Sequence, residues 1–265
     1  MGIHKTAMVA KSAEIDPSAI IGPNVIIEDG VIVQAGTKIM ANAYICKGTE
    51  ISEGTAIHMG AVIGHEPQDY GYKGEETLTK IGKNCIIREY VTIHRGSGEG
   101  TSTVIGDNNF IMCQVHLGHN CVTEESVIIA SGALLAGHVL VEKGVFISGG
   151  TAFHQFCRVG RYAMIGGFTG VNKDVPPYVI VRGPSMIGGV NIVGLTRAGF
   201  SKDQIQNIRK AYKILYREDL NTEDALIRIK EELPADEAVD HFVSFIQGSK
   251  RGICKYSYSR SVFFE

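Results

Sequence analysis

Large apolar residues recur at every sixth position along most of the chain. The series begins at Ile3, reaches Ile63 without a gap and continues in the same phase to Val171. Of its 29 positions, 25 hold Ile, Val, Leu or Phe, whereas the 44% hydrophobic content would fill about 13 by chance. A period of six fits neither an amphipathic α-helix nor an alternating strand. It indicates an internal structural repeat.

Small residues occupy the position two before each member of this series, with glycines between them. Ala7, Ala13 and Ala19 begin this second series. Six residues form one short strand and a corner, and three such units return the chain to its starting direction as an 18-residue coil. Stacked coils pair as parallel strands with the aliphatic residues inside. The pattern predicts an all-β fold, a hexapeptide-repeat parallel β-helix of triangular cross-section.

Two polar, glycine-rich segments interrupt the series, at residues 64–80 (loop 1) and 94–103 (loop 2). Such a composition is typical of surface loops. We therefore expect both segments to project from the prism.

The C-terminal part of the chain follows a helical pattern instead. Ser201 to Gln204 resembles a capping box, and apolar residues follow it at helical spacing. Two further amphipathic stretches, 222–233 and 237–247, predict two more helices.

These patterns divide the chain into two predicted domains. The β-helix with both loops occupies residues 1–190, and a C-terminal α-helical domain occupies 191–265. We expect the helices to cover the unpaired strand edges at the end of the prism. Residues after about Arg251 are expected to be frayed.

Composition and charge exclude several classes of protein. The net charge of −2 lacks the basic excess of a nucleic-acid-binding surface. No charged-then-apolar leader opens the chain, and its most apolar stretch, 127–141, contains polar residues and glycines, so no transmembrane segment is predicted. Six cysteines without CxxC pairs indicate a reducing compartment, so we expect a cytoplasmic protein. Cys85, Cys121 and Cys157 are predicted to be small core residues.

Four histidines fall in the later coils: His116, His119, His138 and His154. An 18-residue coil places His119, Gly137 and Gln155 in one column, with His138 and His154 one residue away from it. A neutral imidazole can take a proton from a hydroxyl that attacks a thioester. Since a single histidine is more typical of solvated surface, the hypothesis of a catalytic edge depends on this convergence.

A zinc site is the main competing interpretation of these histidines. The carbonic anhydrases of this fold bind zinc through a His-x4-His pair and a third histidine two coils away. Here only two residues separate His116 from His119, so we predict no metal site. No Walker-type or GxGxxG loop opens a helix, which indicates that the glycines form corners.

Several phrases of the sequence together resemble one family. They are PQD (67–69), REYVTIHRG (88–96), HLGHNC (116–121), LAGHV (135–139), HQFC (154–157), DVPPY (174–178), GVNIVGL (189–195) and RAGFS (197–201). The combination is similar to the UDP-N-acetylglucosamine 3-O-acyltransferases that open lipid A synthesis, and the resemblance runs from the first hexads to the helical tail.

The resemblance implies left-handed winding and a homotrimer with its sites in clefts between neighbouring prisms. It implies transfer of an (R)-3-hydroxyacyl chain from acyl carrier protein to the 3-position of the glucosamine ring of UDP-N-acetylglucosamine. It implies no cofactor, because the donor is the 4'-phosphopantetheine-linked carrier protein itself.

The resemblance also assigns roles to single residues. His119 matches the general base, and the backbone amide of Gly137 matches the donor to the oxyanion. Gly167 matches the position that limits acyl chain length, although a corner glycine is an equally good interpretation. The residues that match substrate contacts are Gln68, Asp69, His116, His138, His154, Gln155, Asn191 and Arg197.

Three residues depart from the family pattern. Asn120 stands where the family often has Asp, so charge support for an imidazolium must come from elsewhere. Gly71 replaces an expected lysine in loop 1, for which Lys73 is a candidate substitute. Ala198 replaces a second arginine, which weakens the expectation of a phosphate contact there.

An acidic carrier protein would need a basic landing patch, and ordinary solvated surface is the alternative for most of its candidates. The candidates are Arg158, Arg161, Lys173, Arg182, Lys202, Arg209 and Lys210. Two other functions stay open: a hexapeptide-repeat acetyltransferase that uses acetyl-CoA, and a non-catalytic β-helix scaffold.

Overall fold

The computed structural model describes residues 2–256, and these form a left-handed parallel β-helix followed by four helices. Very short strands build three flat faces of a prism. Face I consists of Met8–Val9, Ile26–Ile27, Tyr44–Ile45, Val62–His65, Thr92–His94, His116–Leu117, Leu134–Leu135, Ala152–Phe153 and Gly170–Val171. Face II consists of Glu14–Ile15, Ile32–Val33, Thr49–Ile51, Leu78–Ile81, Ser102–Ile105, Val122–Thr123, Leu140–Val141 and Arg158–Val159. Face III consists of Ile20–Ile21, Lys38–Ile39, Ala56–Ile57, Ile86–Ile87, Phe110–Ile111, Ile128–Ile129, Phe146–Ile147 and Met164–Ile165, extended by Val179–Arg182, Met186–Val190 and Lys255–Tyr256.

The sixfold series forms the interior of the prism, as predicted. Its members from Ile21 to Val171 are buried wherever they are aliphatic or Phe, and so are the small residues two positions before them. Cys85, Cys121 and Cys157 are fully buried, which confirms them as core residues. Thr123, which replaces an aliphatic residue in the series, is also buried, and its hydroxyl has no hydrogen-bond partner among the described residues.

The strand register confirms the 18-residue coil and explains why the loops do not disturb it. On face I, Tyr44 pairs with Val62, 18 residues later. Val62 then pairs with Thr92 across loop 1, and Thr92 pairs with His116 across loop 2, separations of 30 and 24 residues. The loops therefore add 12 and 6 residues to their coils. Both numbers are multiples of six, so the residues of the sixfold series still point inward after each loop.

Both projecting loops are shorter than the sequence predicted. The strands Val62–His65 and Leu78–Ile81 extend into the 64–80 segment, and Thr92–His94 and Ser102–Ile105 extend into the 94–103 segment. The ends of these strands could not be predicted from their polar composition, because strand pairing between coils requires backbone groups rather than apolar side chains.

The C-terminal helices are α1 (Ile192–Arg197), α2 (Lys202–Arg217), α3 (Thr222–Glu232) and α4 (Glu237–Gln247). The predicted capping box is confirmed: Ser201 Oγ accepts from the Gln204 N–H, and Gln204 Oε1 accepts from the Ser201 N–H. Helix α1 was not predicted, because six residues are too few to show a helical period.

The last described residues form part of the fold and are not frayed. Lys255–Tyr256 pairs with Met186 and Ile187, so the expectation of frayed residues after Arg251 is wrong up to residue 256. The rest of the predicted domain, 257–265, and Met1 lie outside the described residues. No helix within residues 2–256 has both the length and the apolar character needed to cross a membrane.

Candidate functional site

His119 lies at the edge between face I and face II, where the strand His116–Leu117 turns toward Val122–Thr123. Its side chain is 9% exposed. Nδ1 lies 2.8 Å from Oδ1 of Asn120, and Nε2 lies 3.8 Å from Oδ2 of Asp69. One ring nitrogen is therefore held by the neighbouring residue, and the other faces a carboxylate from loop 1.

Both loops leave the prism at this same edge and meet beside the imidazole. In loop 2, the Ser97 N–H donates to Asn120 Oδ1 at 2.9 Å, and Ser97 Oγ donates to Asp69 Oδ2 at 3.3 Å. The Gly71 N–H donates to the other Asp69 oxygen, and this bond holds the pKa of Asp69 below its ordinary value. Ser97 was not identified from the sequence, since nothing in a glycine-rich loop indicates which polar residue will face inward.

Loop 1 also forms a cleft of about 400 Å³ lined by Pro67, Gln68, Asp69 and Tyr70. Lys73 does not take the place of the lysine expected at Gly71, because its Nζ donates to the Tyr70 carbonyl oxygen. The loop therefore brings a carboxylate rather than a free ammonium group to His119.

Gly137 lies directly against His119, as the predicted column requires. A Cβ atom at this position would lie 2.5 Å from His119 Nε2 and 2.6 Å from Cε1. The imidazole itself fills the space that a side chain at position 137 would occupy. The glycine is required here for close packing, and φ is not positive at this position.

His138 and Phe156 continue the same edge over the next two coils. Both adopt the left-handed backbone conformation, with φ of 61° and 64°, which bulky residues rarely adopt. Their rings stack with centroids 4.5 Å apart, and the His138 ring lies 5.1 Å from that of His119, edge to face. Burial lowers the pKa of His138, and the charge of His119 adds to this effect.

His116 and His94 form a second pair on face I, with ring centroids 5.1 Å apart. His116 Nδ1 lies 2.8 Å from Thr92 Oγ1, and burial lowers the pKa of His116 to about 4. His94 Nδ1 donates to the Glu66 carbonyl oxygen at the base of loop 1, and burial lowers the pKa of His94. His94 was not among the predicted site residues, although its place at the start of loop 2 could have indicated it.

His154 and Gln155 are exposed at the same edge, two coils after His119. His154 Nδ1 lies 3.3 Å from a guanidinium nitrogen of Arg251, whose Nε and Nη2 donate to the Asn172 carbonyl oxygen. Arg251 lies after α4, so only the tertiary fold brings it to this edge.

Three other predicted site residues lie away from the His119 edge. Gly167 follows Met164–Ile165, at the edge between faces III and I. Asn191 caps α1 and donates to the Tyr162 carbonyl oxygen, at the edge between faces II and III. Arg197 ends α1 and is exposed. Within one chain these residues do not join His119.

Gly167 does not need to be glycine for backbone reasons. Its φ is not positive, and an added Cβ would meet the Gly149 carbonyl oxygen at 3.5 Å and Ser148 Cβ at 3.9 Å, both ordinary contacts. This removes the main physical argument for a purely structural corner glycine.

Three of the seven predicted basic residues make contacts within the chain instead of forming an open patch. Arg158 lies over the Phe245 ring at 4.2 Å, Arg161 pairs with Glu237 at 3.0 Å, and Lys173 Nζ donates to the Arg251 carbonyl oxygen. Arg182, Lys202, Arg209 and Lys210 are exposed.

Residues 2–256 contain neither a cluster arranged as a metal centre nor a buried cysteine suited to act as a nucleophile. No group of three or more His, Cys, Asp or Glu side chains in this part of the chain is placed to hold a metal ion. Burial raises the pKa of Cys121 to about 12 and of Cys85 to about 11, so these thiols do not supply a thiolate. The chemistry available at this edge is that of an imidazole with a carboxylate and backbone amides around it.

Known proteins resemble this chain along most of its length. Residues 174–254 match the family model described as UDP N-acetylglucosamine O-acyltransferase, domain 2. Acyl-[acyl-carrier-protein]–UDP-N-acetylglucosamine O-acyltransferases from Thermodesulfovibrio yellowstonii and Synechocystis sp. are 50% and 46% identical to it. The alignments cover 73% and 72% of this chain, and 76% and 69% of those proteins.

Solved structures agree over nearly the whole chain. LpxA from Bacteroides fragilis, described as a UDP-N-acetylglucosamine acyltransferase, has a TM-score of 0.93 at 43% identity and covers 95% of this chain and 99% of its own. LpxA from Acinetobacter baumannii has a TM-score of 0.92 at 37% identity, covering 96% and 99%. The family resemblance stated from the sequence is confirmed: this chain belongs to the UDP-N-acetylglucosamine O-acyltransferase family.

Proposed function

We propose that this protein transfers an (R)-3-hydroxyacyl chain from acyl carrier protein to the 3-position of the glucosamine ring of UDP-N-acetylglucosamine, the first step of lipid A biosynthesis. The observation that carries the proposal is the His119 imidazole. It is held through Nδ1 at an edge where loop 1 brings Asp69 within 3.8 Å of Nε2. Such a nitrogen can remove the proton from an acceptor hydroxyl or amine.

The reaction needs one proton transfer and one stabilised oxyanion. Nε2 of His119 takes the proton as the acceptor attacks the thioester carbon, and the imidazolium returns it to the leaving thiol. The Gly137 N–H, which donates no hydrogen bond among the described residues, is available to the oxyanion. The thioester is already activated, so the proposal includes no covalent enzyme intermediate and no cofactor.

Neutral imidazoles around the base suit an uncharged acceptor hydroxyl. The pKa values of His138 and His116 are lowered by burial, so both are neutral near pH 7 and can donate or accept hydrogen bonds. We assign them, with Gln68, Asp69, His154 and Gln155, to substrate contacts at this edge.

In a homotrimer, site residues that are far apart within one chain could lie close to those of a neighbouring chain. Gly167, Asn191 and Arg197 lie away from the His119 edge, so we assign their roles in chain length and nucleotide binding to the cleft between two prisms. Face III presents a row of outward apolar side chains suited to burial against another copy: Ile86, Phe110, Ile128, Phe146 and Met164. A flat face offers no concave site by itself.

The remaining parts of the proposal concern the donor and its compartment. The exposed Arg182, Lys202, Arg209 and Lys210 are the basic residues left free to meet an acidic carrier protein. If they form its docking surface, binding should weaken with salt. We assign the protein to the cytoplasm, because six cysteines without CxxC pairs favour a reducing compartment.

The test compares His119→Ala with His4→Ala, which removes an exposed imidazole in the first coil. We expect His119→Ala to lower turnover with hydroxyacyl carrier protein about 10²- to 10⁴-fold, with its thermal unfolding still cooperative. His4→Ala should retain wild-type turnover. Unchanged turnover in His119→Ala would contradict the proposal, and faster transfer from acetyl-CoA than from the carrier protein would favour the acetyltransferase alternative.

A further inference from the structure

Asn120 is held through both its backbone and its side chain. It follows His119 in the left-handed conformation, with φ of 58°, which asparagine tolerates well. Its N–H donates to Thr103 Oγ1 at 2.8 Å, and its Oδ1 accepts from the Ser97 N–H at 2.9 Å. Both partners belong to loop 2 or its end, so the loop fixes the backbone and the side chain of Asn120 together.

The Ser97 contact decides which way the Asn120 amide points. A backbone N–H can bond only to an acceptor, so Oδ1 and not Nδ2 faces loop 2. The same Oδ1 lies 2.8 Å from His119 Nδ1 and has a second lone pair available. Nδ1 must therefore carry the hydrogen, and Nε2 is left with the lone pair that a general base needs.

We propose that Asn120 is a positioning residue that holds His119 in its Nδ1–H tautomer through an uncharged contact, with the charge on the base side coming from Asp69 of loop 1. The inference rests on the proposed function of His119 as general base. It separates two tasks that a single aspartate at position 120 would combine, which are orientation of the ring and stabilisation of the imidazolium.

The charged and titratable groups that face His119 are few. Asp69 lies 3.8 Å from Nε2, and the His138 ring lies 5.1 Å away. His94, on an earlier coil, interacts with it over a longer distance. A carboxylate introduced at position 120 would therefore be the only anion beside Nδ1 among the described residues.

Nitrogen NMR of the full chain, with histidine labelled in both ring nitrogens, tests the tautomer without any substrate. The His119 signal is identified as the one that is missing from the spectrum of His119→Gln. In wild type above pH 7.5 we expect this signal to show a protonated Nδ1 and an unprotonated Nε2. In Asn120→Gly, which removes the amide without backbone strain at positive φ, this pattern should be lost. Asn108→Gly, at an exposed corner of the same conformation with φ of 56°, is the matched control and should keep it.

Kinetics give the second readout. We expect Asn120→Gly to lower kcat on the order of 100-fold with little change in KM, because the lone pair no longer faces the acceptor. Asn120→Asp should keep the tautomer and most of kcat, but move the acid limb of the pH profile to higher pH, since the added carboxylate stabilises the imidazolium.

Two results would overturn the inference. One is a His119 ring protonated at Nε2 in active wild-type enzyme, which would leave the acyl transfer intact but rule out Nε2 as its base. The other is an acid limb that does not move in Asn120→Asp. If wild type were inactive and the Nδ1–H tautomer still present, the proposed function would fail and the tautomer assignment would stand.

Discussion

At the scale of single residues, the site depends on the absence of a side chain at Gly137. The imidazole of His119 occupies the volume into which a Cβ would project. His119 and Gly137 belong to successive coils, joined by the bond from the His138 N–H to the His119 carbonyl oxygen. Neither backbone segment can move away without breaking the register of the prism.

We therefore predict that Gly137→Ala displaces the imidazole and lowers turnover on the order of 100-fold, because a shift of about 1 Å at a catalytic group has effects of this size. The backbone N–H assigned to the oxyanion is retained in this variant, so the loss reports the position of His119. Gly170→Ala is the control, since a Cβ there meets nothing within 4 Å. Wild-type turnover in Gly137→Ala would contradict the steric argument.

At the scale of the elements, face I carries a buried imidazole, His94, and a half-buried one, His116, that are neutral in the folded protein near pH 7. The pKa of His116 is about 4 in the fold against 6.5 for a free imidazole, because burial disfavours the charged form. His116 then contributes stability that is fully present above about pH 6.5 and is lost as the pH falls toward 4. The sign follows from the unfolded chain binding the proton more tightly than the folded one.

The prediction is that His116→Asn, which keeps a polar partner for Thr92 Oγ1, reduces the loss of melting temperature between pH 6.5 and pH 4. Thermal unfolding at a series of pH values measures this. His4→Asn, at an exposed position, should follow the wild-type curve. Parallel curves for wild type and His116→Asn would show that His116 is not the group responsible.

The sequence predicts the elements of the prism well because each coil repeats the same inward positions. The sixfold series therefore identified the buried residues and the column of His119, Gly137 and Gln155. The loops follow no such repeat, so the contacts of Ser97 with Asp69 and Asn120 could not be predicted. The contact of Arg251 with His154 could not be predicted for a similar reason, because Arg251 reaches His154 only after the helices have folded back over the prism.

At the scale of the whole molecule, the predicted site residues occupy three edges of one prism. His119 lies between faces I and II, Gly167 between III and I, and the Asn191 contact with Tyr162 between II and III. A rigid β-helix cannot bring its own edges together, since its interior is packed with aliphatic side chains. If these residues act on one substrate, a second copy of the chain must supply some of them.

Mixing two inactive variants tests this arrangement directly. We expect His119→Ala and Arg197→Glu each to be impaired, and their equimolar mixture, dissociated and reassembled, to regain activity at about a quarter of the sites, because each composite site draws the two residues from different chains at random. If both residues served a site within one chain, no intact site could form and the mixture would stay inactive. Mixing His119→Ala with Asn120→Gly is the control, since those neighbours lie at one edge of one chain and no exchange of subunits can restore them.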